Sequence, residues 1–230
     1  MSSRALRRLA SRKPLAWVLW PFLMLFLGAC RSAPPQETGA FRDPDLVELA
    51  TLDPGIRLDI RYATANNFTG RPLYAQARAF MQRPAALALV RAHQALRAQG
   101  YGILVYDAYR PWTVTQALWD AATPEERRIG FVADPAKGSK HNRGCAVDVS
   151  LYDLATGRAV AMPSGYDEFT ERAYPAYAGG TSLARRNRDI LRRAMEAEGY
   201  AVSGQEWWHF DYQDWRSYRV LDVGFDALGS

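Results

Sequence analysis

The segment SKHNRGCAVDVS, residues 139–150, constrains the fold more than any other part of this sequence. A polar loop containing Gly144 leads into an apolar alternating run, typical of a buried strand, and that run contains Asp148. A buried carboxylate is costly unless another group compensates its charge. The chain must therefore bring a compensating group to this strand, and His141 lies only seven residues before the acid.

A divalent metal ion is one group that could compensate Asp148. The sequence has three histidines. His93 lies in an Ala/Leu-rich helical pattern and is interpreted as an ordinary helix residue, whereas His141 and His209 each lie beside acids. Two histidines and one aspartate are ligands of the kind that a catalytic zinc takes, with a fourth position left for water. Gly144 allows a sharp turn between His141 and Asp148, although Asp148 could instead cap a turn or pair with an arginine.

Two further residues are candidates for chemistry beside such a site. Glu206 precedes His209 by three positions, and residues three apart in a flat strand face opposite sides, so EWWH must bulge or turn if both serve one site. One of the two would then be a ligand and the other a general base. Arg110 ends the segment VYDAYRP and suits an oxyanion or a carboxylate. The alternatives are a surface glutamate and a surface arginine paired with Asp107.

Helical and strand-like patterns are interspersed along the chain without a strict βαβ rhythm. Strands are predicted in GIRLDIRYA, in YGILVYDAYRP from Ile103 to Tyr106, and in GCAVDVSLYD, with an aromatic strand or extended loop in EWWHFDYQD. Helices are predicted from Ala85 to Gly100, from Thr113 in TVTQALWDAA, and in SLARRNRDILRRAMEAEGY, where Gly199 ends the helix. The predicted fold class is α+β, a single domain with a central antiparallel or mixed sheet and flanking helices.

The positive charge of the chain is confined to its beginning. The formal net charge is +5, but five basic residues and no acid lie in MSSRALRRLASRKP. Without those five, the 29 basic residues fall to 24, which equals the number of acidic residues. The remainder is neutral, so nucleic-acid binding has no electrostatic basis here.

This basic start and the apolar run after it are typical of a secretory signal. The run LAWVLWPFLMLFLGAC is too short and too interrupted for a convincing membrane-spanning helix, and its end resembles a bacterial lipobox, in which Cys30 would be lipidated. The alternative is a plain signal peptide with an incidental cysteine. We predict a signal peptide at residues 1–29, a disordered tether at 30–44 and the domain at 45–230.

A lipid on Cys30 would place the protein in the periplasm, anchored to a bacterial membrane. The outer membrane is favoured because no aspartate follows the cysteine. Only Cys145 would then remain, which excludes an intrachain disulfide in the mature protein.

Five segments together resemble one known family in their order and spacing. The segments DIRYATANNFTGRPLY, VYDAYRPW, SKHNRGCAVDVSLYD, MPSGYDEF and EWWHF are similar to those of the D-alanyl-D-alanine dipeptidases of the vancomycin-resistance type. These zinc peptidases share a fold with D,D-carboxypeptidases and the Hedgehog signalling domain. The resemblance runs from about Leu46 to about Trp215, and its most specific part is S-x-H-x-x-G-x-A-x-D followed by E-x-W-H.

The resemblance implies a role for each candidate residue. One zinc ion per chain would be bound by His141, Asp148 and His209, with Glu206 as the catalytic base and Arg110 steadying the carbonyl oxygen of the substrate. The same resemblance places three further residues in the substrate pocket: Tyr62, Ser139 and Asp167, the last receiving the free ammonium of the dipeptide.

The expected activity is hydrolysis of free D,D-dipeptides such as D-Ala-D-Ala. Two alternatives remain. One is a zinc D,D-carboxypeptidase that trims peptidoglycan stem peptides, and the other is a non-catalytic lipoprotein that binds the cell wall. A purely structural zinc needs neither Glu206 nor Arg110, which argues against the second alternative.

Overall fold

A five-stranded mixed sheet lies at the centre of this computed structural model, which describes residues 32–229. The strands are β1 (Leu46–Glu48), β2 (Arg57–Leu58), β3 (Phe80–Gln82), β4 (Tyr101–Asp107), β5 (Ala146–Asp153), β6 (Tyr200–Val202) and β7 (His209–Tyr212). In space the sheet runs β2-β4-β5-β7-β6, with β2 parallel to β4 and the other pairs antiparallel. Strands β1 and β3 form a separate antiparallel pair.

Helices flank this sheet, and the predicted α+β class is confirmed. They are α1 (Leu49–Leu52), α2 (Arg83–Arg97), α3 (Trp112–Ala121), α4 (Pro124–Ile129) and α5 (Ser182–Ala197). The two long helices, α2 and α5, pack against each other, α2 also against β4 and α5 against β5. The residues that β5 contributes are almost all buried, which agrees with its near-continuous apolar sequence.

The strand predicted in GIRLDIRYA forms only in part. β2 has two residues, and a 3₁₀ turn follows at Arg61–Ala63. Ile56, Ile60 and Tyr62 are buried as their alternation predicts. However, the carbonyl of Tyr62 accepts hydrogen bonds from the backbone of Leu73 and Tyr74 at 2.7 and 2.9 Å. The carbonyl of Tyr62 is therefore satisfied by a neighbouring loop instead of by a sheet ladder.

His93 is a packed residue of α2, as predicted. It is fully buried, and its Nδ1 accepts a hydrogen bond from the backbone of Ile103 at 3.1 Å. Burial lowers the pKa of His93, so the ring stays neutral. This histidine joins α2 to β4 and takes no part in the cluster described below.

The described part of the predicted tether differs from the expectation of disorder. The Glu37 carboxylate accepts hydrogen bonds from Arg143 at 2.5 Å and from the backbone of Val220 at 2.7 Å, and Arg42 pairs with Asp214 at 3.0 Å. The physical reason is that Arg143 is buried and requires an anionic partner. The compact unit therefore begins at Ala33 and not at residue 45.

The predicted signal peptide and Cys30 lie outside the described residues. Within residues 32–229, no helix combines the length and the apolar character needed to cross a membrane.

Candidate active site

The three predicted metal ligands converge at the middle of the sheet. Asp148 on β5 is the direct cross-strand partner of His209 on β7, so both side chains lie on one face. His141 reaches them from a 3₁₀ turn, His141–Arg143, which ends at Gly144 with a positive φ of 68°. A side chain at that glycine would be strained and would also collide with Leu46. The turn predicted at Gly144 is thus present.

The nitrogen and oxygen atoms that His141, Asp148 and His209 direct at one another are spaced like the ligand atoms of a tetrahedral metal site. His209 Nδ1 lies 3.1 Å from His141 Nε2 and 3.0 Å from Asp148 Oδ1, and His141 Nε2 lies 3.4 Å from that oxygen. Zinc bonds of about 2.0–2.1 Å in a tetrahedron separate the ligand atoms by about 3.3 Å. Two imidazoles and one carboxylate of this spacing fit a zinc ion and leave one position open.

Hydrogen bonds on the outer side hold each ligand in orientation. His141 Nδ1 donates to the carbonyl of Ala108 at 2.7 Å, which leaves Nε2 as the free lone pair. His209 Nε2 donates to Asp211 at 2.9 Å, which directs Nδ1 toward His141 and Asp148. The second oxygen of Asp148 accepts from the hydroxyl of Tyr166 at 2.9 Å. Such outer contacts fix the tautomer and direction of metal ligands.

The charges of the cluster explain why a buried aspartate is tolerated. Burial alone would raise the pKa of Asp148, but His141 and His209 outweigh it and hold that pKa well below its usual range. Burial would lower the pKa of His209, but its hydrogen bonds to Asp148 and Asp211 raise it well above the usual value. Asp148 is therefore an anion in a setting built to receive positive charge.

Glu206 reaches the same site because the EWWH segment turns, as the spacing requires. The backbone N–H of His209 donates to the carbonyl of Glu206 at 3.4 Å, while Trp207 and Trp208 are buried and fix the turn. Glu206 Oε2 lies 3.9 Å from His209 Nδ1. Burial raises the pKa of Glu206 to about 7, against the opposing effect of His209. This carboxyl group can accept and return a proton near neutral pH.

Arg110 faces the site and is paired with Asp107 as the alternative expected, but both residues are buried and neither lies on the surface. The guanidinium donates from Nε and Nη2 to one oxygen of Asp107 at 2.9 and 2.7 Å, and Nη2 lies 4.0 Å from Asp148. Asp107, only 1% exposed, also accepts from the hydroxyl of Tyr74 at 2.7 Å. The ring of Tyr62 lies 5.1 Å from the guanidinium. The Arg110 side chain is thus fixed before any ligand binds.

A small cavity of about 60 Å³ is lined by all of the residues predicted to bind metal or substrate or to act in catalysis. Its polar lining consists of Tyr62, Arg110, Ser139, His141, Asp148, Asp167, Glu206 and His209, and its apolar lining of Phe68, Leu118, Phe131, Val132 and Phe169. The hydroxyl of Ser139 accepts from the backbone of His141 at 3.2 Å. These predicted residues, which are far apart in the sequence, therefore line one cavity.

Asp167 is an acid of this cavity with both an unfavourable backbone conformation and an unfavourable environment for its charge. It has a left-handed φ of 55°, which is uncommon for a residue other than glycine. Its carboxylate accepts from the hydroxyl of Tyr62 at 3.2 Å. Burial, with the charges of Asp148 and Glu206, raises the pKa of Asp167 well above its usual range. An acid held in this way is suited to a positively charged ligand group.

Residues 42–222 match the family model described as D-Ala-D-Ala dipeptidase, a group within peptidase family M15. The chain belongs to this family. Its members are zinc metallopeptidases, so membership makes the protein a zinc-dependent dipeptidase. The spacing of His141, Asp148 and His209 agrees with that chemistry.

Curated relatives have the same family name. A D-alanyl-D-alanine dipeptidase of Escherichia coli (strain K12) is 34% identical over 184 residues, which cover 80% of this chain and 93% of the relative. A D-alanyl-D-alanine dipeptidase of Enterococcus faecalis is 36% identical over 180 residues, 70% of this chain and 87% of that protein. A solved vancomycin-resistance D,D-pentapeptidase, at 16% identity and a TM-score of 0.40, covers 79% of this chain and 86% of its own.

The sequence patterns did not assign a role in the site to three residues: Asp107, Tyr166 and Asp211. Asp211 lies two positions after His209 in an alternating segment, so it shares a face with that histidine, and this signal could have identified it. Asp107 lies three positions before Arg110, and it was considered only as a surface partner. Tyr166 is brought to Asp148 by a loop without regular structure, for which the sequence has no comparable signal.

Proposed function

We propose that this enzyme hydrolyses free D,D-dipeptides, with D-Ala-D-Ala as the expected substrate. The observation that carries the proposal is the arrangement of one small cavity. A metal-binding triad, a carboxyl group and a fixed guanidinium lie together there, and Asp167 also lines it. A dipeptide presents a scissile carbonyl and a free ammonium, the two groups that these side chains suit. The relatives from Escherichia coli and Enterococcus faecalis are named for D-Ala-D-Ala.

The chemistry divides among the metal site and three further side chains, those of Glu206, Arg110 and Asp107. His141, Asp148 and His209 would hold the zinc ion, which would supply a Lewis acid for the scissile carbonyl and lower the pKa of water. Glu206 takes a proton from the attacking water and returns it to the leaving amine. Arg110 donates to the carbonyl oxygen as negative charge develops there, and Asp107 keeps the guanidinium aimed at that position.

The remaining cavity residues hold the substrate. Asp167 binds the ammonium of the dipeptide, and Tyr62 orients Asp167 through its hydroxyl while its ring packs over Arg110. Ser139, 8% exposed beside His141, offers a hydroxyl to the substrate backbone. The requirement for an ammonium at Asp167 would reject acylated peptides, since an acyl group has no positive charge to pair with this acid and occupies the position of the ammonium.

We expect free D-Ala-D-Ala to be cleaved with a kcat/KM at least about 10³-fold above that of N-acetyl-D-Ala-D-Ala. Asp167→Asn should lower kcat/KM for the free dipeptide about 100-fold and leave the acetylated one nearly unchanged, because only the free substrate has the ammonium. Glu168→Gln is the matched control, since Glu168 pairs with Arg172 at 3.2 Å. Efficient cleavage of an acylated stem pentapeptide would instead support the carboxypeptidase alternative.

We also propose that the protein is a periplasmic lipoprotein anchored through Cys30, on the evidence of the lipobox-like sequence at residues 27–30. The docked position of Glu37 would keep the domain close to the bilayer, because seven residues span at most about 25 Å. Cys30→Ala should move the protein from the membrane fraction to the soluble periplasmic fraction without changing kcat of the purified domain. An unchanged membrane fraction in that variant would disprove the anchor.

A further inference from the structure

An ion pair outside the cavity joins the two segments that carry the histidine ligands. Lys140 directly precedes His141, and Asp211 lies two residues after His209 on β7. Lys140 Nζ lies 2.5 Å from Asp211 Oδ2, while Asp211 Oδ1 accepts from His209 Nε2 at 2.9 Å. The two oxygens of one carboxylate therefore have separate partners, one on each histidine segment.

We propose that Asp211, held by Lys140, is a positioning residue that sets the ring orientation and tautomer of His209 for metal binding. This inference rests on the metal role proposed for His209. When His209 is neutral and its proton lies on Nε2, directed at Asp211, the lone pair of Nδ1 faces the position between His141 and Asp148 where a metal ion would bind. The other tautomer would place a hydrogen on Nδ1 and remove that donor from the site.

Burial and surroundings support a role beyond a surface ion pair. The side chain of Asp211 is 13% exposed and that of Lys140 is 38% exposed. Nζ of Lys140 also lies 5.2 Å from the ring centre of Trp215, which limits the directions that the ammonium can take. Asp211 is therefore held from one side by Lys140 and its surroundings, and it holds His209 from the other.

The position of Asp211 separates its effect from substrate binding. It does not line the cavity that contains Arg110, Asp167 and Glu206. Replacing it should therefore weaken metal binding and lower kcat at saturating zinc, while KM for the dipeptide stays within about twofold. Replacing a residue that served only the fold would lower stability without this selective effect on zinc affinity and kcat.

The experiment measures zinc affinity directly, by competition with a chromophoric chelator on the full mature chain. Asp211→Ala should raise the zinc dissociation constant about 10–100-fold, and Lys140→Met should raise it by less in the same direction. Cobalt-substituted protein provides a second readout, since its visible spectrum should change in Asp211→Ala. Asp214→Ala is the matched control, because Asp214 pairs with Arg42 at 3.0 Å three residues further on and should leave both readouts unchanged.

A zinc affinity within twofold of wild type in Asp211→Ala, with an unchanged cobalt spectrum, would overturn the inference. If Asp211→Ala does not fold, Lys140→Met carries the test alone, and wild-type affinity in that variant overturns the proposal equally. Because neither readout uses a peptide, failure of the proposed dipeptidase activity would leave these results interpretable.

Discussion

Glu206→Gln is expected to lower kcat/KM for D-Ala-D-Ala by about 10³-fold while the chain still binds one zinc ion. The amide is nearly the same size as the carboxyl group but cannot take a proton from water or return one to the leaving amine. The burial that raises the pKa of Glu206 to about 7 prepares the carboxyl group for this exchange near neutral pH. Glu206 lies 3.9 Å from the nearest ligand atom of His209, so its replacement leaves the metal ligands in place.

The measurement is steady-state kinetics together with metal analysis on the same sample. Glu198→Gln is a suitable control, because Glu198 pairs with Arg91 at 2.6 Å outside the cavity and should retain full activity. Activity within tenfold of wild type in zinc-loaded Glu206→Gln would remove Glu206 from the mechanism. Loss of zinc in that variant would instead indicate that Glu206 is a ligand.

His141→Ala is expected to abolish both stoichiometric zinc and detectable dipeptide hydrolysis. The remaining pair of ligands, Asp148 and His209, cannot complete a site that has an open fourth position. In the wild-type chain, zinc at 100 times its dissociation constant should add about 2.7 kcal/mol to the free energy of unfolding. Addition of a chelator should therefore lower Tm in wild type and have no effect in His141→Ala.

The third histidine of the chain offers an internal comparison. His93→Gln alters a buried residue that accepts from Ile103, so it should lower Tm. It should nevertheless retain zinc and the response of Tm to a chelator. If His141→Ala bound zinc as tightly as wild type, the ligand assignment would be wrong, whatever the activity.

The centre of the site could be predicted from the sequence because its residues violate local rules. Asp148 in an apolar strand and Glu206 three positions before His209 both required an explanation that packing alone does not provide. The main elements could be predicted for the opposite reason, because they follow local rules. The hydrophobic patterns of α2, α5 and β5 are strong, and the structure places these elements within a few residues of expectation.

The rest depends on contacts between segments that are far apart in the chain. Asp107 has ordinary sequence surroundings, and its importance appears only once β4 lies beside β5. The strand predicted before Tyr62 is shorter than expected, and the carbonyl of Tyr62 accepts hydrogen bonds from the loop at Leu73 and Tyr74. The docking of Glu37 on Arg143 joins residues 106 positions apart, which no local pattern reveals.

Anomalous diffraction at the zinc absorption edge, on crystals of the zinc-loaded wild-type protein, tests the central claim most directly. We expect one peak per chain, within about 2.0–2.2 Å of His141 Nε2, Asp148 Oδ1 and His209 Nδ1. A fully occupied zinc ion bound elsewhere, with those three side chains making no bond to metal, would contradict the account.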